Sequence, residues 1–133
     1  MQGEAEKSPI ADDVNEFLRE FKAILTYQPH ACDWIGRRGY DAGLPGLSLT
    51  QCQAETLIRD ELDPHHLVRG PEPDDHHPES ACVCMFRLPI TADECDAYIK
   101  LSLRLIRNRG GQLRAVIWSF KSWTPQDDRP NPA

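Results

Sequence analysis

The sequence lacks long hydrophobic runs, and its first residues do not have the pattern of an export signal. No stretch approaches the roughly 18 consecutive apolar residues that a membrane-spanning helix needs. Residues 1–6 are acidic, whereas a secretory signal begins with basic residues followed by apolar ones. We therefore expect a cytoplasmic protein that does not bind membranes.

The cysteines are irregularly placed. The chain has five cysteines, an odd number, and their spacing matches no disulfide framework. A reducing compartment fits this usage better than a disulfide-stapled fold, so we interpret them as free thiols. They are Cys32, Cys52, Cys82, Cys84 and Cys95.

Several catalytic signatures are also missing. The sequence contains no nucleophile elbow, phosphate-binding glycine loop, zinc-protease helix motif or dinucleotide-binding fingerprint. These absences argue against acyl transfer and nucleotide hydrolysis. We expect a protein that uses no cofactor.

Positive charge is in the minority but is concentrated in one segment. The chain carries a formal charge of −6, which by itself argues against a nucleic-acid partner. Residues 97–123, however, include six basic residues and no acid, so this segment is +6 and the remainder is −12. An anionic ligand responds to such a local positive field. A solvated basic face without a ligand is the alternative.

Two amphipathic helices are predicted in the first half. Apolar residues recur at helical spacing over residues 12–25, and an acidic start suits the N-terminal cap. A second helix is predicted over residues 50–62, with Ser48 or Thr50 as its cap and Pro64 at its end. Between them, the glycine and proline residues of 28–47 predict turns and one short strand.

Strands are predicted after the helices. Residues 81–88 form an apolar run, 98–107 alternate between apolar and polar, and 112–120 form a third strand-like stretch. This order predicts an α+β domain whose N-terminal helices pack on an antiparallel β-sheet, formed mainly by the C-terminal half. We expect one domain over residues 10–123 and flexible tails at 1–9 and 124–133.

The last two strands are predicted to form a hairpin around residues 108–111 (NRGG), because glycines supply the positive φ of tight turns. A two-residue turn starting at Arg109 places Lys121 opposite Tyr98. A turn starting one residue later places Lys121 opposite Lys100. In both registers the three polar side chains share one face, unless an odd loop lacks a compensating bulge.

This face suits phosphate chemistry. Two lysines beside a tyrosine repel each other unless an anion binds, and a phosphate relieves the repulsion. Metal-independent RNA cleavage needs one group to take the 2'-hydroxyl proton, another to protonate the departing 5'-oxygen, and positive charge against the phosphate. Lysine and tyrosine ordinarily have pKa values near 10, so they imply a slow or strongly tuned enzyme. A solvated polar face is the alternative.

A cysteine pair, Cys82 and Cys84, follows two histidines at 76–77 and suggests zinc. Alternate residues of a strand lie roughly 7 Å apart, however, and do not chelate as a Cys-x-x-Cys turn does. We therefore expect no metal, although a metal-dependent enzyme built on these residues is a third possibility.

Two other segments are chemically suggestive. The histidines at 65–66 offer a general acid or base just after the second helix, although exposed histidines commonly end helices. Residues 70–75 form a stiff acidic loop, because its two prolines fix φ. This loop is placed to pair with Arg69.

Four segments together resemble the motility quorum-sensing regulator (MqsR) family of type II toxins. They are 16–22 (EFLREFK), 68–75 (VRGPEPDD), 98–101 (YIKL) and 119–121 (SFK), within a match over residues 13–123. The resemblance implies a RelE-like α+β ribonuclease that cleaves messenger RNA without a metal and is inhibited by a cognate antitoxin protein.

The same resemblance implies site residues. The family's catalytic tyrosine falls on Tyr98, its C-terminal lysine on Lys121, and a basic position before the Gly-Pro turn on Arg69. We assign Tyr98 and Lys121 to proton transfer and phosphate orientation, and Arg69 and Lys100 to charge stabilisation. The glutamine of the preceding strand falls on Met85, which cannot transfer protons. Further basic residues are assigned to RNA binding: Arg87, Arg104, Arg107 and Arg114.

A non-catalytic module with a toxin-like fold is the competing functional hypothesis. Such a module docks a protein or an RNA without cutting it. The acidic net charge and Met85 favour this alternative.

Overall fold

A computed structural model describes residues 11–35, 44–106 and 112–125. Over these residues the architecture is α+β, with two α-helices and a five-stranded sheet, which confirms the predicted α+β class. In chain order, the elements are helix α1 (Val14–Tyr27), strand β1 (Cys32–Trp34), helix α2 (Gln51–Asp60) and strands β2 (Leu67–Pro73), β3 (Ala81–Ile90), β4 (Cys95–Ile106) and β5 (Gln112–Ser122).

Both helices begin at polar residues that the sequence predicts as N-terminal caps. The Asp13 carboxylate accepts the backbone N–H of Glu16 at 2.9 Å, which satisfies a donor at the start of α1. Helix α2 starts with a capping box between Thr50 and Gln53. It ends at Asp60, two residues earlier than predicted.

The sheet is mixed, and its strand order is β1-β5-β4-β3-β2. Strands β2 to β5 pair antiparallel, but β1 pairs with β5 in parallel. The predicted fully antiparallel sheet is therefore wrong at one edge. No hairpin links β1 to β5, because α2 and three strands lie between them in the chain, so local sequence does not dictate their direction.

Strand β2 extends to Pro73, so the prediction of a stiff loop over residues 70–75 is wrong for its first part. The structure pairs Leu67–Pro73 with β3, and the register shifts on both sides of Arg69. Proline cannot donate to a strand ladder, but β2 lies at the edge of the sheet, where Pro71 and Pro73 are tolerated.

The hydrophobic core lies between the helices and one face of the sheet. Phe17 of α1 meets Phe86 of β3 with their ring centroids 6.4 Å apart, and both side chains are fully buried. Ile99, Leu101 and Leu103 of β4 are also fully buried, as the alternation of that strand predicts.

Some predictions fall outside the described residues. These are the turn at 108–111, Arg107, the tail 1–9 and most of the tail 124–133. Among the helices that the structure describes, none is long and apolar enough to cross a membrane.

Candidate functional site

The face of the sheet turned away from the helices carries polar and aromatic side chains in register. Tyr98 and Lys100 are partly exposed there, whereas Ile99 between them is fully buried. This pattern follows from the alternation of side chains across a strand. We call this side of the sheet the open face; its central residues are Met85, Arg87, Tyr98, Lys100, Trp118 and Lys121.

One row across the open face places Tyr98 between two cations. Arg87 of β3 is its register partner on one side, and Lys121 of β5 is its partner on the other. The Lys121 Nζ lies 5.0 Å from the centroid of the Tyr98 ring. The pairing of Tyr98 with Lys121 is one of the two registers predicted from sequence, and the structure confirms it.

A β-bulge at Trp118 produces this pairing. Lys100 pairs with Ser119, but the next residue, Leu101, pairs two positions earlier, so Trp118 is an extra residue in β5. Ile106 and Gln112 are the last described pair of the hairpin, and an odd number of residues, 107–111, lies between them. The register next to these residues differs by one residue from the predicted register, and the bulge at Trp118 restores the predicted pairing at the far end of the hairpin. The predicted turn itself lies outside the described residues.

A cleft on the open face brings three of the predicted catalytic residues together. Arg69, Tyr98 and Lys100 all line this hollow, which has a volume of about 220 Å³. Lys121 lies beside Tyr98 and lines a neighbouring hollow instead, and Trp118 lines both. The remaining wall of the cleft includes Glu72, Asp74, Asp75, His76 and Met85.

Arg69 reaches the cleft from the edge strand, where it pairs with Met85. Its Nε donates to Glu72 Oε2 at 2.9 Å, which confirms the predicted pairing of Arg69 with the acidic segment. Gly70 has a φ of +112°, and a Cβ there would lie 2.5 Å from the carbonyl oxygen of Val83. The glycine therefore permits the close approach of β2 to β3 at the cleft wall.

The loop after β2 is fixed by Asp74, which is only 7% exposed. Its Oδ1 accepts the backbone N–H of His76 at 2.7 Å and that of His77 at 3.0 Å. Its own N–H donates to the carbonyl of Ala81 at 3.0 Å. Both histidines thus share one anchor, but only His76 lines the cleft.

Two arginines predicted to bind RNA have carboxylate partners. Arg87 donates to Asp96 at 2.6 Å, and its guanidinium lies 4.5 Å from the centroid of the Trp123 ring. Arg114 donates to both oxygens of Asp33, at 3.0 and 3.1 Å. The hydrogen bond to Asp33 raises the pKa of Arg114. These contacts hold both guanidinium groups in defined positions.

The other predicted RNA-binding residues differ in position. Arg104 is exposed and lies directly opposite Arg114 in the hairpin, where like charges repel. Arg107 lies outside the described residues.

Near the cleft, the Lys100 Nζ lies 5.7 Å from the centroid of the Trp118 ring. The cleft is therefore bordered by a cation placed over an aromatic surface.

The residues considered for zinc do not converge. Cys82 and Cys84 are fully buried in the core, whereas His76 and His77 are exposed. Burial raises the pKa of the Cys84 thiol, which keeps it in the protonated form that binds metals poorly. Within the described ranges, no group of three or more His, Cys, Asp or Glu residues is placed to hold a metal ion.

The histidine pair after α2 stands apart from the cleft. His65 and His66 belong to the 3-10 helix Pro64–His66, and neither lines the cleft. The Nδ1 of His66 accepts the backbone N–H of Asp63 at 3.1 Å. Burial, followed by the nearby charge of His65, lowers the pKa of His66. This pair supports the turn that leads into β2.

Three residues of the open face were not among the predicted site residues. Trp118 borders the cleft, Trp123 contacts the Tyr98 ring edge-on at 5.6 Å between centroids, and His76 lines the cleft wall. The available signal was the mixture of aromatic and cationic residues near the end of β5, a composition typical of surfaces that stack nucleobases.

Comparisons with protein-family models, with curated proteins and with solved structures found no match to this chain. The function must therefore be inferred from the residues of the open face. Their arrangement offers cations, a phenol and aromatic surfaces around one solvent-accessible cleft.

Proposed function

We propose that this protein is a RelE-like toxin of a type II toxin–antitoxin system, an endoribonuclease that cleaves messenger RNA without a metal ion. The supporting observation is that Arg69, Tyr98 and Lys100 line one open cleft while Lys121 lies opposite Tyr98. A cytoplasmic location and inhibition by a cognate antitoxin protein belong to the same proposal, through the resemblance to the MqsR family.

The reaction uses a nucleophile supplied by the RNA. The 2'-oxygen attacks the adjacent phosphorus, the bond from phosphorus to the 5'-oxygen breaks, and the products carry a 2',3'-cyclic phosphate and a 5'-hydroxyl. Tyr98 and Lys121 transfer protons and orient the phosphate. Arg69 and Lys100 stabilise the negative charge that develops on the phosphoryl oxygens.

The charge distribution favours a phosphate over Tyr98. Arg87 and Lys121 flank the phenol in one row, and Lys100 lies two residues along β4 on the same face. Positive groups on one face attract an anion that binds between them. The adjacent indole of Trp118 offers a surface on which a base stacks.

The test is RNA cleavage by antitoxin-free protein in excess chelator, with first-order rate constants measured from labelled RNA on denaturing gels. We expect Lys121→Ala and Tyr98→Phe to cut about 10²- to 10⁴-fold more slowly than the wild type, because each removes a group that transfers a proton or orients the phosphate. Arg19→Ala is the matched control, since it removes an exposed cation from α1. It should retain the wild-type rate.

The proposal fails if the wild type leaves RNA intact in chelator. It also fails if both open-face variants cut as fast as Arg19→Ala. Circular dichroism of each variant verifies that a slow rate does not reflect unfolding.

A non-catalytic module that docks RNA or protein is the second candidate. Carboxylates already pair with three of the arginines: Arg69, Arg87 and Arg114. Met85, which lines the cleft, cannot transfer a proton. This candidate predicts that the wild type retards labelled RNA on native gels without cutting it, and that Lys121→Ala weakens that binding.

A further inference from the structure

The proposed reaction needs a proton acceptor that the predicted catalytic residues do not supply. Phenols and ammonium groups ordinarily have pKa values near 10 and therefore carry their protons at neutral pH. Such groups donate a proton to the departing 5'-oxygen. They do not readily accept the proton of the 2'-hydroxyl group. Another group in the cleft must therefore act as the base.

Three carboxylates and one imidazole of the cleft wall can accept a proton. Glu72 already accepts a hydrogen bond from Arg69 at 2.9 Å. Asp74 is largely buried, and its Oδ1 accepts two backbone N–H groups. Asp75 is exposed, and an exposed carboxylate is ordinarily a much weaker base than imidazole. Imidazole is the side chain that ordinarily accepts protons near neutral pH, and His76 is the imidazole of this wall.

We infer that His76 is the general base of the proposed ribonuclease, an assignment that rests on the proposed function. A neutral ring nitrogen of His76 takes the 2'-hydroxyl proton as the 2'-oxygen bonds to phosphorus. The bond from phosphorus to the 5'-oxygen breaks, and the 5'-oxygen takes a proton from the Lys121 ammonium. His76 ends protonated and Lys121 ends neutral, and exchange with water restores both.

The order of the strands supports this division of roles. His76 follows β2 at one edge of the sheet, whereas Lys121 lies on β5, beyond Tyr98 on β4. The attacking and departing oxygens of a phosphoryl transfer are roughly in line, so acceptor and donor must lie on opposite sides of the phosphorus. His76 and Tyr98 both line the cleft, so a phosphate held in the cleft between them meets this requirement.

The adjacent histidine provides a matched control. His77 shares the Asp74 anchor with His76 but does not line the cleft. In chelator, we expect His76→Gly to cut RNA about 100-fold more slowly than wild type, whereas His77→Gly stays within about threefold. Free imidazole should raise the His76→Gly rate at least about tenfold, because it enters the space left by the ring. It should leave Lys121→Ala unchanged.

The dependence of the rate on pH gives a second readout. The charged groups facing His76 are Arg69 and Glu72 of β2, Lys100 of β4 and the neighbouring Asp74 and Asp75. Imidazole ordinarily titrates between pH 5 and 8, so the wild-type rate should rise over that range, whereas the His76→Gly rate should not.

The inference is overturned if His76→Gly cuts as fast as His77→Gly. It is also overturned if His76→Gly is slow but keeps the wild-type pH dependence and does not respond to imidazole. A wild type that cuts no RNA at any pH instead refutes the proposed function, and the assignment of His76 falls with it.

Discussion

On the open face, a phosphate would compete with Asp96 for the guanidinium group of Arg87. Arg87 must leave Asp96 before it can bind a phosphate, and both side chains are substantially exposed, at 45% and 33%. Exposed ion pairs contribute only about 0–1 kcal/mol, whereas charge-assisted hydrogen bonds to phosphate are stronger and often bidentate. Under the proposed function, such a carboxylate orients the arginine without preventing a phosphate from taking its place.

His66 makes the stability of the protein depend on pH. Burial is the main reason why its pKa lies below the ordinary value near 6.5, and its Nδ1 accepts the Asp63 N–H. The folded state therefore binds fewer protons than the unfolded chain. This contribution to stability is fully present above the unfolded pKa and is lost as the pH falls through the lower folded pKa.

We expect His66→Asn to reduce this acid sensitivity, because its amide oxygen can accept the Asp63 N–H and does not titrate. The measurement is the urea midpoint of unfolding, followed by circular dichroism between about pH 7 and pH 5. The wild-type midpoint should fall more steeply than that of His66→Asn, with the exposed His30→Asn as control. Parallel falls in wild type and His66→Asn would contradict this prediction.

At the scale of elements, β2 depends on a glycine at its contact with β3. The φ of Gly70 is +112°, and an added Cβ would lie 2.5 Å from the Val83 carbonyl oxygen and 2.9 Å from the Cys84 Cα. We expect Gly70→Ala to lower the free energy of unfolding by at least about 1–3 kcal/mol in urea titrations. Its RNA cleavage should also slow, because β2 carries Arg69.

Val68→Ala is the matched control in the same strand, since Val68 is 52% exposed. It should change the unfolding free energy by less than about 0.5 kcal/mol. Equal stability of Gly70→Ala and Val68→Ala would show that β2 does not approach β3 as described.

Local patterns predicted the elements that are determined locally. The apolar spacing and acidic cap gave α1, and strict alternation gave the buried face of β4 with Tyr98 and Lys100 on the other side. Strand β2 was missed because Pro71 and Pro73 argue against a strand unless its position at the sheet edge is known. The parallel pairing of β1 depends on contacts distant in sequence, which no local period encodes.

The candidate site could likewise be predicted only where it depends on local sequence. Tyr98 and Lys121 could be placed together from sequence, but the bulge at Trp118 that aligns them could not, because no local pattern marks an extra residue in a strand. The approach of Arg69 and His76 to the cleft depends on the irregular register of β2 and on the Asp74 anchor. Those contacts become visible only when the strands are assembled.

At the scale of the whole molecule, the hydrophobic core and the candidate site lie on opposite faces of the sheet. The helices cover one face of the sheet and supply the core, so the opposite face can carry cationic side chains at small cost to folding. The net charge of −6 belongs to the chain as a whole, whereas the 97–123 segment is basic. An average charge therefore says little about the ligand of the open face.

The most direct test of the proposed chemistry is the identity of the RNA ends formed in excess chelator, determined by mass spectrometry of a defined oligonucleotide. Attack by the 2'-oxygen over Tyr98 predicts a 2',3'-cyclic phosphate on one product and a 5'-hydroxyl on the other. A 2'-deoxy substitution at the cut site should then abolish cleavage. Intact RNA, or 5'-phosphate ends that appear only when a divalent metal is added, would contradict it.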